Sequence, residues 1–177
     1  MKKIGAYIGK FYPPHIGHIW VVDNILKDFD KLYIVISYNK LRNIKIKEEQ
    51  GFDEIDPRLI KKWFKEYYKN NKKVVVEIFD ETSLRPYPQD RELWAKKFKN
   101  QFGDVNYKIA DESYREYNEK FFPEYVFYSI PRDVVPVHST QIRKDTLNNI
   151  NNIIPTAKDY FLKKIKNNTN KETYNKN

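Results

Sequence analysis

The first 37 residues predict a strand, a loop, a helix and a second strand in succession. The apolar run from Lys3 to Ile8 ends at Gly9, which is typical of a buried strand that leads into a loop. Two consecutive prolines interrupt the chain, and a helix is predicted from about Ile16 because apolar residues then recur at helical spacing: Ile19, Val22, Ile25, Leu26 and Phe29. Residues 31–37 predict the second strand. In such a unit, the loop and the helix amino terminus form the usual phosphate site.

Strands and helices continue to alternate beyond a charged stretch, 39–54, which we interpret as irregular. Further strands are predicted at 74–79, 107–110, 125–128 and 134–137, and helices at 57–67, 91–102, 113–121, from about 140, and at 155–165. This alternation predicts an α/β fold with a mostly parallel sheet and helices on both faces. Residues 1–165 are expected to form one domain, and the polar segment 166–177 a disordered tail.

Composition excludes several kinds of chemistry. The chain has no cysteine, so disulfides, thiolate metal sites and cysteine nucleophiles are unavailable, and a cytoplasmic location is expected. The amino terminus does not read as a signal peptide, and no apolar run reaches the roughly 20 residues of a spanning helix, so no membrane association is expected. The formal charge is +9, with much of the excess near the carboxyl terminus. We interpret it as favouring solubility rather than nucleic-acid binding.

Two histidines lie where the first strand gives way to its helix. His15 is placed near the helix amino terminus and His18 in the first turn, so the two imidazoles share one side of that turn. With free backbone N–H groups and the positive end of the helix dipole, they predict a site for an anion. Lys10 adds a positive charge suited to a phosphate, and Gly17 would let a flat base approach the backbone. Zinc binding by the two histidines is the alternative, but it lacks a clear third ligand nearby.

A second anion-binding pattern stands far downstream, at Ser139-Thr140-Gln141-Ile142-Arg143. Ser139 and Thr140 can cap a new helix, and Arg143 then lies one turn into it. Hydroxyl groups, backbone N–H groups and a guanidinium would converge on one anion. A plain helix cap with a solvent-exposed arginine is the alternative interpretation.

Together these segments resemble a known family. The pair G-K-F-Y-P-P-H-I-G-H and S-T-Q-I-R is similar to the nucleotidyltransferases with an H-x-G-H signature. More narrowly, the chain resembles the nicotinamide-mononucleotide adenylyltransferase domain of the NadR type. The narrower match includes Tyr87-Pro88, Trp94, Arg132 and Ile154-Pro155 followed by Tyr160-Phe161. The resemblance implies a Rossmann-like nucleotidyltransferase fold.

The resemblance also implies a reaction in which ATP and nicotinamide mononucleotide give NAD and pyrophosphate, with Mg²⁺ bound with ATP. His15 and His18 would contact the ATP phosphates, while four residues would bind the leaving pyrophosphate: Lys10, Ser139, Thr140 and Arg143. Gly9 and Phe11 would meet the nucleotide through their backbone, and the acceptor would contact Tyr87, Trp94 and Arg132. The nucleophile is a phosphate oxygen that is already ionised at neutral pH, so no general base is required.

Two departures from the family pattern and two alternative functions accompany this interpretation. His138 stands where the family usually has serine, and Arg91 stands where an aromatic residue is expected. The acceptor could instead be nicotinate mononucleotide, phosphopantetheine or a flavin precursor, with adenylyl or cytidylyl transfer on the same fold. The chain could also be a non-catalytic nucleotide-sensing regulator. A homo-oligomer is compatible with the sequence.

Overall fold

Five parallel strands form one sheet. The structure, a computed structural model, describes residues 1–85, 88–131 and 135–174, with side chains up to residue 167. The strands are β1 (Ile4–Gly9), β2 (Lys31–Tyr38), β3 (Val74–Asp80), β4 (Tyr107–Asp111) and β5 (Val126–Ile130). Their order across the sheet is β3-β2-β1-β4-β5, and each neighbouring pair runs parallel. All five carboxyl ends therefore lie along one edge of the sheet.

Helices cover both faces of this sheet. They are α1 (Ile16–Ile25), α2 (Lys40–Gln50), α3 (Pro57–Tyr67), α4 (Arg91–Gln101), α5 (Arg115–Phe121), α6 (Ser139–Lys144) and α7 (Lys158–Tyr174). Short 3-10 turns occur at 26–28, 112–114, 150–152 and 155–157. Among the helices of the described ranges, we find none with the length and apolarity needed to cross a membrane.

Neighbouring residues of a strand face opposite sides, so the sheet divides two apolar cores. Ile34 belongs to the first core, which α1, α3, α6 and α7 complete with Val22, Phe64, Ile142 and Phe161 among others. Val35, the next residue along β2, belongs to the second core, which α4 and the segment after α5 complete with Ala95, Phe98, Phe102 and Phe122. The predicted Rossmann-like sheet with helices on both faces is thus confirmed.

The interpretation of residues 39–54 as irregular is wrong, because α2 occupies most of that stretch. The Asn39 side chain accepts a hydrogen bond from the backbone N–H of Arg42 (3.1 Å) and caps the helix. Gly51 ends it in the left-handed region, with φ 63°. The helix escaped prediction because Asn43 is its one fully buried residue, so it lacks an apolar stripe.

The predicted strand at 134–137 is also wrong over its described part, residues 135–137. The Val137 N–H donates to the Val135 carbonyl at 2.7 Å, which closes a tight turn. Pro136 between them has no N–H to give to a ladder.

The last helix is longer than predicted. It continues past Ile165 and ends at Tyr174. Asn, Lys and Thr dominate that part of the chain, so it lacks the apolar periodicity that predicts a helix. The division into a domain at 1–165 and a tail at 166–177 stays a prediction.

Candidate active site

The loop after β1 is anchored by Phe11. Its backbone lies in the left-handed region (φ 48°), which costs a residue with a side chain about 1–2 kcal/mol. Its ring is 1% exposed and makes edge contacts with Tyr7, His18 and Phe64. A Cβ on Gly9 would stand 2.8 Å from that ring, so glycine is required there. Packing under the loop thus fixes the backbone predicted to meet the nucleotide.

His15 and His18 stack on each other at the amino terminus of α1. Their ring centroids are 3.6 Å apart and the planes differ by 25°. The backbone N–H of His15 donates to Nδ1 of His18 at 3.1 Å. Because a backbone N–H only donates, that Nδ1 carries no proton, and neutral His18 has its proton on Nε2. His18 is therefore oriented to offer one N–H donor.

Burial keeps both imidazoles neutral near pH 7. Desolvation, followed by the charge of His138, lowers the pKa of His15 to about 4. Desolvation and then the charge of His15 lower the pKa of His18 well below its ordinary value. His15 is 6% exposed, and no described residue gives its Nδ1 a hydrogen bond. The pair can contact phosphate oxygens as neutral dipoles.

We expect His15→Gln to reduce the acid sensitivity of folding. A folded-state pKa below the unfolded value of about 6.5 means that the unfolded chain binds the proton more tightly. The stability from neutral His15 is therefore fully present above pH 6.5 and is lost as pH falls toward 4. Urea unfolding at pH 7.5, 5.5 and 4.5 measures the free energy of unfolding. Between pH 7.5 and 4.5 this free energy should fall by about 2–3 kcal/mol less in the variant than in the original protein. Equal pH dependence of the two proteins would contradict the shift.

Gly17 lies between the two histidines and leaves room for the first of them. A Cβ at Gly17 would be 3.1 Å from the His15 ring and 3.7 Å from the Val137 carbonyl oxygen. The glycine thus permits close packing of the imidazole and of the segment before α6. Contact of a base with this backbone stays a prediction.

The two segments predicted to bind the phosphates together, residues 9–18 and 139–143, are adjacent in the structure. Ser139 Oγ donates to the Pro13 carbonyl at 3.0 Å, and Arg143 donates to the Tyr12 carbonyl at 2.6 Å. The Arg143 guanidinium also donates to Gln50 Oε1 (2.8 Å) and to Thr140 Oγ1 (3.1 Å). These bonds fix α6 against the β1 loop. The positive charge of Arg143 therefore lies next to the β1 loop, which leads into His15 and His18.

A cluster of cations lies at the carboxyl ends of β1 and β2. Partial desolvation, then the charges of Arg42 and Arg143, lower the pKa of Lys10. Arg42 donates to the Ser37 carbonyl at 2.6 Å and lies 3.7 Å from Glu81, and no described residue pairs with its buried Nε. Glu81 accepts from Ser37 Oγ at 2.6 Å. Glu81 thus partly balances Lys10 and Arg42, while Arg143 adds a further positive charge near Lys10, an arrangement that suits a polyanion.

Arg42 and Glu81 were not identified from the sequence. Asn39 and Gly51 provide the start and stop signals of a helix that follows β2 directly. Recognising that helix would have put Arg42 in its first turn, at the edge where phosphate sites form. No sequence signal marks Glu81, because its partners Ser37 and Arg42 come from β2 and α2.

The predicted acceptor residues are only partly described. Tyr87 and Arg132 lie outside the described residues. Trp94 is partly buried in the first turn of α4, where its ring is parallel to that of Phe98 at 5.4 Å. Because α4 follows β3, this turn lies toward the carboxyl edge of the sheet, on the face opposite α1. Substrate contact by Trp94 stays a prediction.

Comparison with curated proteins finds relatives in NAD synthesis. No protein-family model matches the chain. The trifunctional NAD biosynthesis/regulator protein NadR of Escherichia coli strain K12 is 26% identical over 173 residues, which is 93% of this chain and 42% of that protein. A probable nicotinate-nucleotide adenylyltransferase of Fusobacterium nucleatum is 43% identical over 76 residues, which is 42% of this chain and 36% of that protein. The chain thus spans less than half the length of either relative.

Solved structures share the fold. A crystal structure of NadR in complex with NR superposes with a TM-score of 0.71 at 21% identity, over 88% of this chain and 44% of that one. A putative nicotinate-nucleotide adenylyltransferase from Vibrio parahaemolyticus gives 0.60 at 20% identity, over 92% and 99%. The resemblance that the motifs indicated is confirmed: the chain is homologous to NadR and has the Rossmann-like nucleotidyltransferase fold.

Proposed function

We propose that this protein transfers the adenylyl group of ATP to nicotinamide mononucleotide, giving NAD and pyrophosphate. The stacked His15–His18 pair carries the proposal, because it presents a fixed, neutral N–H donor at the sheet edge where Lys10, Arg42 and Arg143 gather. The NadR relatives support it by their similarity over 93% of the chain. A cytoplasmic location and a homo-oligomer stay predictions.

In the proposed reaction a phosphate oxygen of the mononucleotide attacks the α-phosphorus of ATP. A new P–O bond forms while the bond from the α-phosphorus to the bridging oxygen of pyrophosphate breaks, and pyrophosphate leaves with the electron pair. The attacking oxygen is already ionised, so orientation and charge stabilisation suffice. His18 Nε2–H would donate to the α-phosphate oxygens as their charge rises, and Lys10 and Arg143 would neutralise the leaving group.

Mg²⁺ is proposed to enter with ATP. Mg²⁺ prefers oxygen ligands, whereas the described residues around the loop supply mainly imidazole, ammonium and guanidinium groups. Among the described residues no set of three His, Cys, Asp or Glu side chains is arranged to bind a metal ion. The site fits an ion whose ligands are the phosphate oxygens and water. Bound there, Mg²⁺ would neutralise part of the triphosphate charge.

Nicotinate mononucleotide is the second candidate acceptor, favoured by the 43% identity to the Fusobacterium relative. The two acceptors differ only in an amide against a carboxylate on the pyridine ring. The histidine pair and the cation cluster act on phosphates common to both. The acceptor side of the site must therefore decide between them.

A substrate panel tests the proposal. The purified chain receives Mg²⁺, ATP and either nicotinamide mononucleotide, nicotinate mononucleotide or phosphopantetheine, and both pyrophosphate and the adenylylated product are measured. We expect the fastest release with nicotinamide mononucleotide and much less with the other two. A preference for nicotinate mononucleotide would correct the acceptor and keep adenylyl transfer. Absence of product with all three would overturn the enzymatic function in favour of a nucleotide sensor.

A further inference from the structure

A lysine lies inside the second core. Lys108, on β4, is 5% exposed and points among aromatic rings instead of toward water. Its Nζ lies 4.1 Å from the ring centroid of Phe98, 4.5 Å from that of Phe122 and 4.8 Å from that of Trp94. Phe122 stands nearly perpendicular to the parallel Phe98 and Trp94 rings, at 85° and 81°. The ammonium occupies the corner between them.

This position is an expensive one for a charged group. Burying an ammonium costs several kcal/mol, and Glu81, the carboxylate whose charge acts on it, lies 3.7 Å from the Arg42 guanidinium. Three desolvated ring contacts, each worth up to about 2 kcal/mol, offset that cost. Desolvation lowers the pKa of Lys108 well below its ordinary value, while the charge of Glu81 opposes the shift. An apolar residue would fill the same space without that cost.

Of the three rings around Lys108, Trp94 is the one that reaches the surface. Its indole is the one partly exposed ring of the three, and it lies in the first turn of α4. It is parallel to Phe98 within 4° and makes an edge contact with Phe79 at 5.0 Å. The Lys108 Nζ adds a contact over the indole face, 4.8 Å from the ring centroid. The lysine is therefore well placed to fix the orientation of the indole.

We propose that Lys108 is a positioning residue that orients the Trp94 indole for the base of the acceptor nucleotide. The inference rests on the proposed function, in which Trp94 contacts the acceptor. Lys108 itself touches no substrate, so its effect passes through Trp94. It should affect acceptor binding and leave the ATP side unaltered, because His18 packs on Phe11 of the first core, on the other face of the sheet.

The test compares Lys108→Met with Lys99→Met. Methionine preserves the length of the side chain without its charge, so the second core stays filled. Lys99 is the matched control, because its Nζ also lies over the Phe122 ring, at 5.1 Å, but is partly exposed and pairs with Glu124. We expect Lys108→Met to raise the acceptor KM about five- to tenfold, because one desolvated cation–π contact is lost. The kcat and the ATP KM should stay within about twofold of the original values. Lys99→Met should leave all three unchanged.

Two further measurements separate the possible outcomes. Lys108→Arg retains a cation that stacks on rings and should restore most of the acceptor affinity. An unchanged acceptor KM in Lys108→Met would overturn the positioning role. So would a kcat that falls by the same factor as the acceptor KM rises, together with a lower melting temperature. If the unaltered chain adenylylates no acceptor, the proposed function fails. The role of Lys108 is then tested in a chain with Trp94 as its sole tryptophan, by acrylamide quenching of the Trp94 fluorescence. Stronger quenching after Lys108→Met supports the inference, and unchanged quenching overturns it.

Discussion

His18→Ala is expected to lower kcat by about 10²–10³-fold and to leave the KM for ATP within about threefold. The imidazole is partly buried, neutral and oriented by the His15 backbone N–H, so its Nε2–H is fixed before the reaction begins. Such a donor contributes most where charge develops in the transition state. Steady-state kinetics with the preferred acceptor provide the measurement.

His18→Gln is the matched control for this prediction. A glutamine amide can place an N–H near the position of the imidazole Nε2, so it should recover part of the kcat that alanine loses. Melting temperatures of the three proteins check that the loop remains folded, since His18 also packs edge-on against Phe11 at 4.8 Å. A kcat unchanged by alanine would remove His18 from its assigned role.

Arg143→Met is expected to lower kcat/KM for ATP by about 10²-fold, because one charged contact to the leaving pyrophosphate is lost. Arg143→Lys should recover only part of the lost kcat/KM, since an ammonium cannot make the hydrogen bonds to Gln50, Thr140 and the Tyr12 carbonyl together. The dependence of initial rate on ATP concentration measures the effect.

Arg143 also connects α6 to the β1 loop, so its structural and chemical roles must be separated. Gln50→Ala removes the partner of Arg143 Nε and keeps the positive charge. We expect it to change kcat/KM by no more than about threefold. A loss equal to that of Arg143→Met would show that the geometry of the loop, and not the charge on phosphate, is what Arg143 provides.

Local patterns were sufficient for the five strands of the sheet and for the helices with an apolar stripe, although they also predicted a strand at 134–137 that does not form over residues 135–137. α3 illustrates this, since Pro57 follows a capping Asp56 and Ile60, Trp63 and Phe64 recur on one side. α2 has the same kind of start and stop signals, but its polar composition hid them. Its omission also hid Arg42, whose position depends on that helix.

The sequence by itself determined the position of the phosphate loop, because an apolar strand followed by Gly9, two prolines and an apolar helix has few alternatives. It also determined the chemistry available there, through the types of residue in the two motifs. Only the tertiary structure decided that Arg143 lies on the Tyr12 carbonyl, that His138 lies near enough to His15 to lower its pKa, and that Lys108 is enclosed by three rings. These contacts join residues far apart in the chain, so no local pattern encodes them. Burial, which sets the protonation of His15 and His18, likewise exists only once the sheet and its two cores have formed.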